Sequence, residues 1–196
     1  MRSIDATGLI LAGGQGSRMG GVDKGLQLFR GKPMVQHVVE RFAPQVGELL
    51  VNANRNPEAY ASFGYRVVAD EIEGFAGPLA GFERGLAHAS KDFVVTTPCD
   101  SPFLPVDLVA RLRSALDSRS ADLAVAKTGD QAHPVFSLMR RSVHASLRDF
   151  LSSGQRKIDR WYGGLDVVEV AFDDEAGAFV NINTLAELSG LEQPRA

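Results

Sequence analysis

The sequence predicts an α/β fold: a mainly parallel, mixed sheet with helices on both faces. Three features predict it. Short apolar runs alternate with helix-spaced amphipathic segments over the first two-thirds of the chain, the pattern of successive right-handed βαβ units. The first run, Leu9 to Ala12, breaks abruptly into glycine. Later runs lie closer together, as hairpin-like pieces, and imply an antiparallel strand within the sheet. The length of 196 residues suits one domain over residues 1–196, with no linker or internal repeat.

Taken in order, Leu9 to Ala12 reads as a buried strand. Pro33 to Ala43 is a helix, with Met34, Val35, Val38, Val39 and Phe42 on one face. His37 falls between those stripes and reads as a surface residue. Glu48 to Asn54 is a second strand with a polar end. Asn56-Pro57 resembles an N-cap and first-turn proline opening a short helix to Phe63. Tyr65 to Asp70 is a third strand. A loop from Glu71 becomes helical near Leu79, started by Pro78, with Leu79, Phe82 and Leu86 facing inward.

Phe93 to Thr96 is the most hydrophobic strand, closed by Pro98, Cys99 and Asp100. Pro105 to Ser118 is an amphipathic helix on Leu108, Leu112 and Leu116. Residues 121–128 and 133–140 read as strands. Val143, Leu147, Phe150 and Leu151 mark a helix stopped by Gly154. Residues 165–172 and 178–184 are late strands. Thr184-Leu185-Ala186-Glu187 fits a capping box opening a last helix.

Composition narrows the function. Hydrophobic residues make up 44% and charged residues 23%, values of a globular chain with a full core. A net charge of −3 argues against a broad basic face, so no nucleic-acid partner is expected. The single cysteine, Cys99, excludes an internal disulfide and a multi-cysteine zinc site. Beside Asp100 it reads as a small buried filler without reactivity. No apolar run reaches membrane-spanning length, and residues 1–8 lack a signal peptide's apolar middle, so a cytoplasmic location is expected.

The glycine stretch carries the chemistry. Gly13, Gly14, Gly16, Gly20 and Gly21 surround Arg18 and precede Lys24. Such a loop turns sharply and brings backbone N–H groups close to a ligand. Backbone donors with two fixed cations suit a polyphosphate. A Walker A loop would end Gly-Lys-Ser/Thr, whereas Lys24 stands between Asp23 and Gly25. A dinucleotide fingerprint begun at Gly14 would need glycine at Met19, which argues against a dehydrogenase.

Ligands of open α/β sheets sit beyond the carboxyl ends of the strands, where strand order reverses. Gly13, Asn52, Asp70 and Asp100 each close one predicted strand at that end. Asp100 suits Mg²⁺, which takes one or two carboxylates and completes its shell with phosphate and water. Arg18 and Lys24 would hold phosphates and offset charge as pyrophosphate leaves. Asn52 and Asp70 fit nucleoside recognition. Asp70 could accept guanine's ring N–H and amine together, or hold a ribose hydroxyl, and the sequence leaves both open.

Together, LAGGQGSRMGGVDKGL, VNANR, the PLAG segment and TPCDSPFLP resemble the molybdenum cofactor guanylyltransferases, over nearly the whole chain through GDQAHPVFSL to FVNINT. The glycine-rich portion is shared with the nucleotidyltransferases that make sugar-nucleotides, while GGVDKGL and PCDSP point more narrowly to molybdopterin enzymes. The resemblance implies a Rossmann-like nucleotidyltransferase fold. It also implies Mg²⁺-assisted attack of the terminal phosphate of molybdenum-molybdopterin on the α-phosphorus of GTP. By position, Leu11, Ala12 and Gly13 would line the nucleotide with backbone groups. Lys24, Asn52, Asp70 and Asp100 would contact it, with Asp100 also holding the metal.

On the pterin side, Asn181 and Asn183 alternate along a strand and share a face. Arg156 and Lys157 would meet the acceptor's phosphate. A monomer in transient contact with an insertion protein or target molybdoenzyme is expected. The competing readings are a cytidylyltransferase on the same pterin, a sugar-phosphate nucleotidyltransferase, and a non-catalytic nucleotide-binding subunit.

Overall fold

The computed structural model describes residues 3–12, 23–71, 77–180 and 182. In chain order these form β1 (Ile4–Leu11), a hairpin of β2 (Leu28–Phe29) and β3 (Lys32–Pro33), α1 (Met34–Phe42), β4 (Val46–Asn52), α2 (Pro57–Ala61) and β5 (Arg66–Val68). There follow α3 (Pro78–His88), β6 (Phe93–Pro98), α4 (Leu108–Arg119), β7 (Leu123–Thr128), β8 (Gln131–Arg140), α5 (His144–Ser152), α6 (Ile158–Tyr162) and β9 (Val167–Ala171).

Alternation along the strands builds the three layers. Successive strand side chains point to opposite faces, so neighbours in sequence enter different cores. Ile10, Val51, Val95, Ala124 and Leu138 pack with Val35, Val38 and Phe42 of α1, Tyr60 of α2, and Leu108, Leu112 and Leu116 of α4. Leu9, Leu50, Val94, Leu123 and Met139 face the other way, onto Leu79, Phe82 and Leu86 of α3, Leu147 and Leu151 of α5, and Trp161 of α6. Each such side chain taken fully out of water contributes roughly 1.5–3 kcal/mol. Helices cover both faces, as expected.

The seven-stranded sheet runs β5-β4-β1-β6-β8-β7-β9. Strands β1, β4, β5 and β6 are parallel, and β8 is antiparallel to both β6 and β7. The mixed sheet with one reversed strand matches the sequence expectation. From β1 the chain builds outward through β4 and β5, then returns to lay β6 on the other side of β1. The crevice beyond the carboxyl ends of β1 and β6 is therefore the switch point, where such sheets bind ligands.

Several boundaries differ from the sequence reading. β1 starts at Ile4 because Thr7, although polar, is wholly buried and donates its hydroxyl to Glu48 of β4. β4 spans Val46–Asn52, so Asn54 lies past its end. Asn56 stands at the N-cap position of α2 ahead of Pro57, as expected, but its side chain makes no cap bond: its backbone is left-handed, at φ 47°, and its amide reaches Asp23. α4 begins at Leu108 rather than Pro105. Residues 178–179, expected in a strand, belong to a 3-10 segment, Asp173–Phe179. His37 is half-buried and bonds Phe29 O through Nε2 at 2.8 Å, so it is less free than a surface residue. The β2–β3 hairpin and α6 have no counterpart in the sequence reading. The Thr184–Glu187 box lies outside the described residues. No helix among the described residues is long and apolar enough to cross a membrane.

Candidate active site

The strand ends that carry the expected site residues are level with one another. Leu11 pairs with Asn52 on one side and Pro98 on the other, and Asn52 pairs with Val68. Backbone bonds continue the ladder past the last paired residues. Ala12 N donates to Asn52 O at 2.8 Å, Cys99 N to Leu11 O at 3.0 Å, and Ala53 N to Val68 O at 3.0 Å. Three strand spacings separate β5 from β6, about 14 Å, which suits a nucleoside and its phosphates laid across the ends. Leu11 O and Ala12 N are already engaged by neighbouring strands, so any nucleotide contact there falls to other groups of these residues.

At the β6 end, Lys24 Nζ stands 3.6 Å from Asp100 Oδ2, with side-chain exposures of 22% and 11%. Burial raises the Asp100 carboxyl above the usual aspartate range, while the Lys24 ammonium pulls it partly back. Its Oδ1 is buried with no hydrogen-bond partner among the described residues. A buried carboxylate oxygen in that condition is costly. An oxygen-preferring divalent cation would relieve it, so Asp100 fits the Mg²⁺ expectation. No group of three or more potential ligands gathers among the described residues, so phosphate and water would complete the shell.

The turn bearing Lys24 is fixed from below. Asp23 accepts from the Tyr60 hydroxyl through Oδ1, and from Asn56 Nδ2 through Oδ2 at 3.0 Å. A Cβ at Gly25 would lie 2.5 Å from Tyr60 Oη and 3.1 Å from Cys99 Sγ, so only glycine lets the turn settle on this floor. Cys99 is buried, and burial, with Asp100 and Asp23 close by, pushes its thiol well above the ordinary range. The reading of Cys99 as an unreactive filler agrees with this.

At the β4 and β5 ends, Asp70 is held by two amides. Asn52 Nδ2 donates to Asp70 Oδ1 at 2.8 Å and to Val68 O at 3.2 Å. Asn54 Nδ2 donates to Asp70 Oδ2 at 2.7 Å, and Asp70 N returns a bond to Asn54 Oδ1 at 2.8 Å. Above them α3 crosses closely. A Cβ at Gly81 would lie 2.5 Å from both Asn52 Oδ1 and Leu11 Cδ2.

The structure thus gathers Leu11, Ala12, Lys24, Asn52, Asp70 and Asp100 along one rim. Arg156 and Lys157 stand on the α5–α6 connection, where Arg156 Nη1 donates to Leu151 O and Gln155 O and Lys157 is exposed. Gly13, Arg18, Asn181 and Asn183 lie outside the described residues. Ile182, between the two asparagines in sequence, is buried and donates its N–H to Asp100 O at 3.1 Å. The sequence reading did not single out Asp23, Asn54, Tyr60 or Gly81. Only Asn54 carried a signal, as the second polar residue closing its strand two positions after Asn52.

The family model described as MobA-like NTP transferase domain matches residues 8–168. The chain belongs to that family. It is a nucleotidyltransferase by family and by fold. A molybdenum cofactor guanylyltransferase of Cupriavidus necator is 56% identical over 189 residues, covering 94% of each chain. Another, of Ralstonia nicotianae, is 52% identical over 200 residues, covering 97% of this chain and 98% of that one. The crystal structure of molybdopterin-guanine dinucleotide biosynthesis protein A from Archaeoglobus fulgidus superposes with a TM-score of 0.79 at 25% identity, over 95% of this chain and 96% of that one. The match begins within β1 and runs past α6, and includes every rim residue gathered above.

Proposed function

We propose that this chain is a molybdenum cofactor guanylyltransferase acting as one domain in the cytoplasm. It transfers GMP from GTP to the terminal phosphate of molybdenum-molybdopterin and releases pyrophosphate. The observation that carries this reading is Lys24 beside Asp100 at the switch-point crevice, with one Asp100 oxygen buried and unpartnered among the described residues. A purely nucleotide-binding subunit has less need of a carboxylate held in that condition. The extent of identity with named guanylyltransferases supports the choice of nucleotide and acceptor.

In this reading an oxygen of the acceptor phosphate attacks the α-phosphorus of GTP. A new P–O bond forms as the bond from α-phosphorus to the bridging oxygen breaks, and pyrophosphate departs with the electron pair. Lys24 places a fixed ammonium where that charge develops, and Arg18 joins it on the phosphates. Bound at Asp100, Mg²⁺ would supply further neutralisation of phosphate charge. Asn52 and Asp70 hold the nucleoside two and three strand spacings from the β6 end, and Leu11, Ala12 and Gly13 line it. Asn181 and Asn183, with Arg156 and Lys157, receive the pterin and its phosphate. The bond from Ile182 N to the backbone carbonyl of Asp100 supports the pterin assignment of its sequence neighbours, since it holds Ile182 to the residue that carries the metal carboxylate. The protein works as a monomer and hands its product to an insertion protein or apoenzyme by transient contact.

The test is pyrophosphate release from purified protein with molybdenum-molybdopterin, Mg²⁺ and either GTP or CTP. Turnover with GTP alone is expected, and Lys24→Ala should lower it on the order of a hundredfold. Equal turnover of CTP would remove the guanylyl assignment. Unchanged turnover by Lys24→Ala would remove Lys24 from the site.

A further inference from the structure

The carboxylate of Asp70 is met on both oxygens by asparagine amides, and the two contributions differ in kind. Asn52 is buried within β4 and divides its amide between Asp70 and the Val68 carbonyl. Asn54 lies past the strand, exposed, and makes a closed two-bond clasp with Asp70: amide to carboxylate, and backbone N–H back to the amide oxygen. With only Asn52 in place, the carboxylate would keep rotation about its last side-chain bond. A second amide on the second oxygen removes it, and the returning N–H fixes the backbone from which Asp70 projects. Each oxygen keeps a second lone pair in the plane so set. Two adjacent acceptors in a fixed plane suit a ligand edge with two adjacent donors.

We infer that Asn54 is a positioning and specificity-determining residue for the nucleoside: it touches no substrate, but sets the plane in which Asp70 reads it. This rests on the assignment of Asp70 to nucleoside binding. Orientation of this kind is worth more than the clasp's own stability, since a misaligned acceptor leaves ligand donors unpaired on binding.

The experiment uses the full chain with its Mg²⁺ and pterin substrates, and three nucleotides: GTP, inosine triphosphate, which lacks the exocyclic amine, and 2′-deoxy-GTP, which lacks one ribose hydroxyl. Kinetics are measured for the parent, Asn54→Ala, Asn54→Asp and Asp70→Ala, with Tm recorded for each. The expected result is that Asp70→Ala abolishes the preference for GTP over one analogue. Asn54→Ala should then erode that same preference about tenfold, mainly through KM for GTP. Asn54→Asp, which sets a second carboxylate against the first, should erode it at least as far. A role limited to loop stability would lower Tm and weaken all three nucleotides equally, and that outcome overturns the inference. So does an unchanged preference in both Asn54 variants while Asp70→Ala loses it, which leaves Asp70 in place and removes Asn54. If Asp70→Ala changes no preference, the nucleoside assignment of Asp70 fails and this inference fails with it.

Discussion

Gly81 of α3 stands where any Cβ would lie 2.5 Å from the side-chain oxygen of Asn52. The helix and the strand end are in backbone-to-side-chain contact, and Asn52 is held in place partly by the absence of a methyl group. One turn further along α3, a Cβ at Gly85 would meet Leu9 Cδ2 at 2.4 Å, within the same core but away from the rim. The two glycines make a matched pair. Gly81→Ala and Gly85→Ala should each cost about 1–3 kcal/mol of stability through overpacking. Only Gly81→Ala should also raise KM for the nucleotide, by moving Asn52. Thermal melts beside steady-state kinetics check both halves.

Asp100 carries the opposite conflict, between stability and chemistry. Its carboxyl is raised by burial more than Lys24 lowers it, and one oxygen lacks a partner among the described residues. Asp100→Asn removes the buried charge while keeping the shape. Without metal or nucleotide, this variant should melt about 2–4 °C higher than the parent, the shift expected of roughly 1 kcal/mol in a chain of this size. Mg²⁺-dependent turnover should be lost. A lower Tm would mean that the Lys24 pair outweighs the cost of burial.

Tyr60 holds the turn that bears Lys24 from within the core. Its hydroxyl donates to Asp23, and burial, with Cys99 and Asp23 nearby, keeps that hydroxyl protonated far above its usual range. It is a donor at every working pH. Tyr60→Phe removes one oxygen and leaves Asp23 Oδ1 short of a partner. About 1.5–3 kcal/mol of stability should be lost, as for a hydrogen bond to a charged group. Turnover should fall several-fold with KM for GTP little changed, because the residue next to the anchored aspartate is Lys24.

The far end of the sheet predicts a pH response. Burial raises the Glu48 carboxyl, but hydrogen bonds from Thr7 and from Ser90 N and Oγ, with the Lys91 ammonium, outweigh it and bring it below the ordinary glutamate value. The folded state therefore releases this proton at lower pH than the unfolded chain. Its stabilisation is complete above the unfolded value and is lost as pH falls through the folded one. Glu48→Gln should lower Tm near pH 7, and the gap to the parent should narrow as pH falls below the ordinary glutamate value. Melting curves across that interval check the sign.

The rim of the site was readable because it needs only local signals. Leu9–Ile10, Leu50–Val51 and Val94–Val95 are apolar pairs whose strands stop at polar residues, and parallel strands in register bring those stops level. A reversed strand is expected from the close spacing of the later pieces, and the structure makes it β8, which follows β7 through a tight turn at Gly129 and Asp130. What the sequence hid depends on contacts between distant residues. Asn56 has the composition of a helix cap, yet its amide belongs to Asp23, 33 positions earlier. Thr7 looks like the polar residue before a strand, and is buried only because Glu48 accepts its hydroxyl. Gly25 reads as one more glycine of a glycine-rich stretch, and is required by Tyr60 and Cys99 beneath it.

Cys99, the only cysteine in the sequence, sits one residue from the acid assigned to the metal, with its sulfur turned into the floor beneath Gly25. Its proton is held there by burial. A neutral thiol is a poor nucleophile and a poor ligand for soft metals. The proposed cargo contains molybdenum, and an open thiolate at this position would compete for it. On the proposed function, packing alone keeps this thiol from competing for a thiophilic metal brought to the crevice.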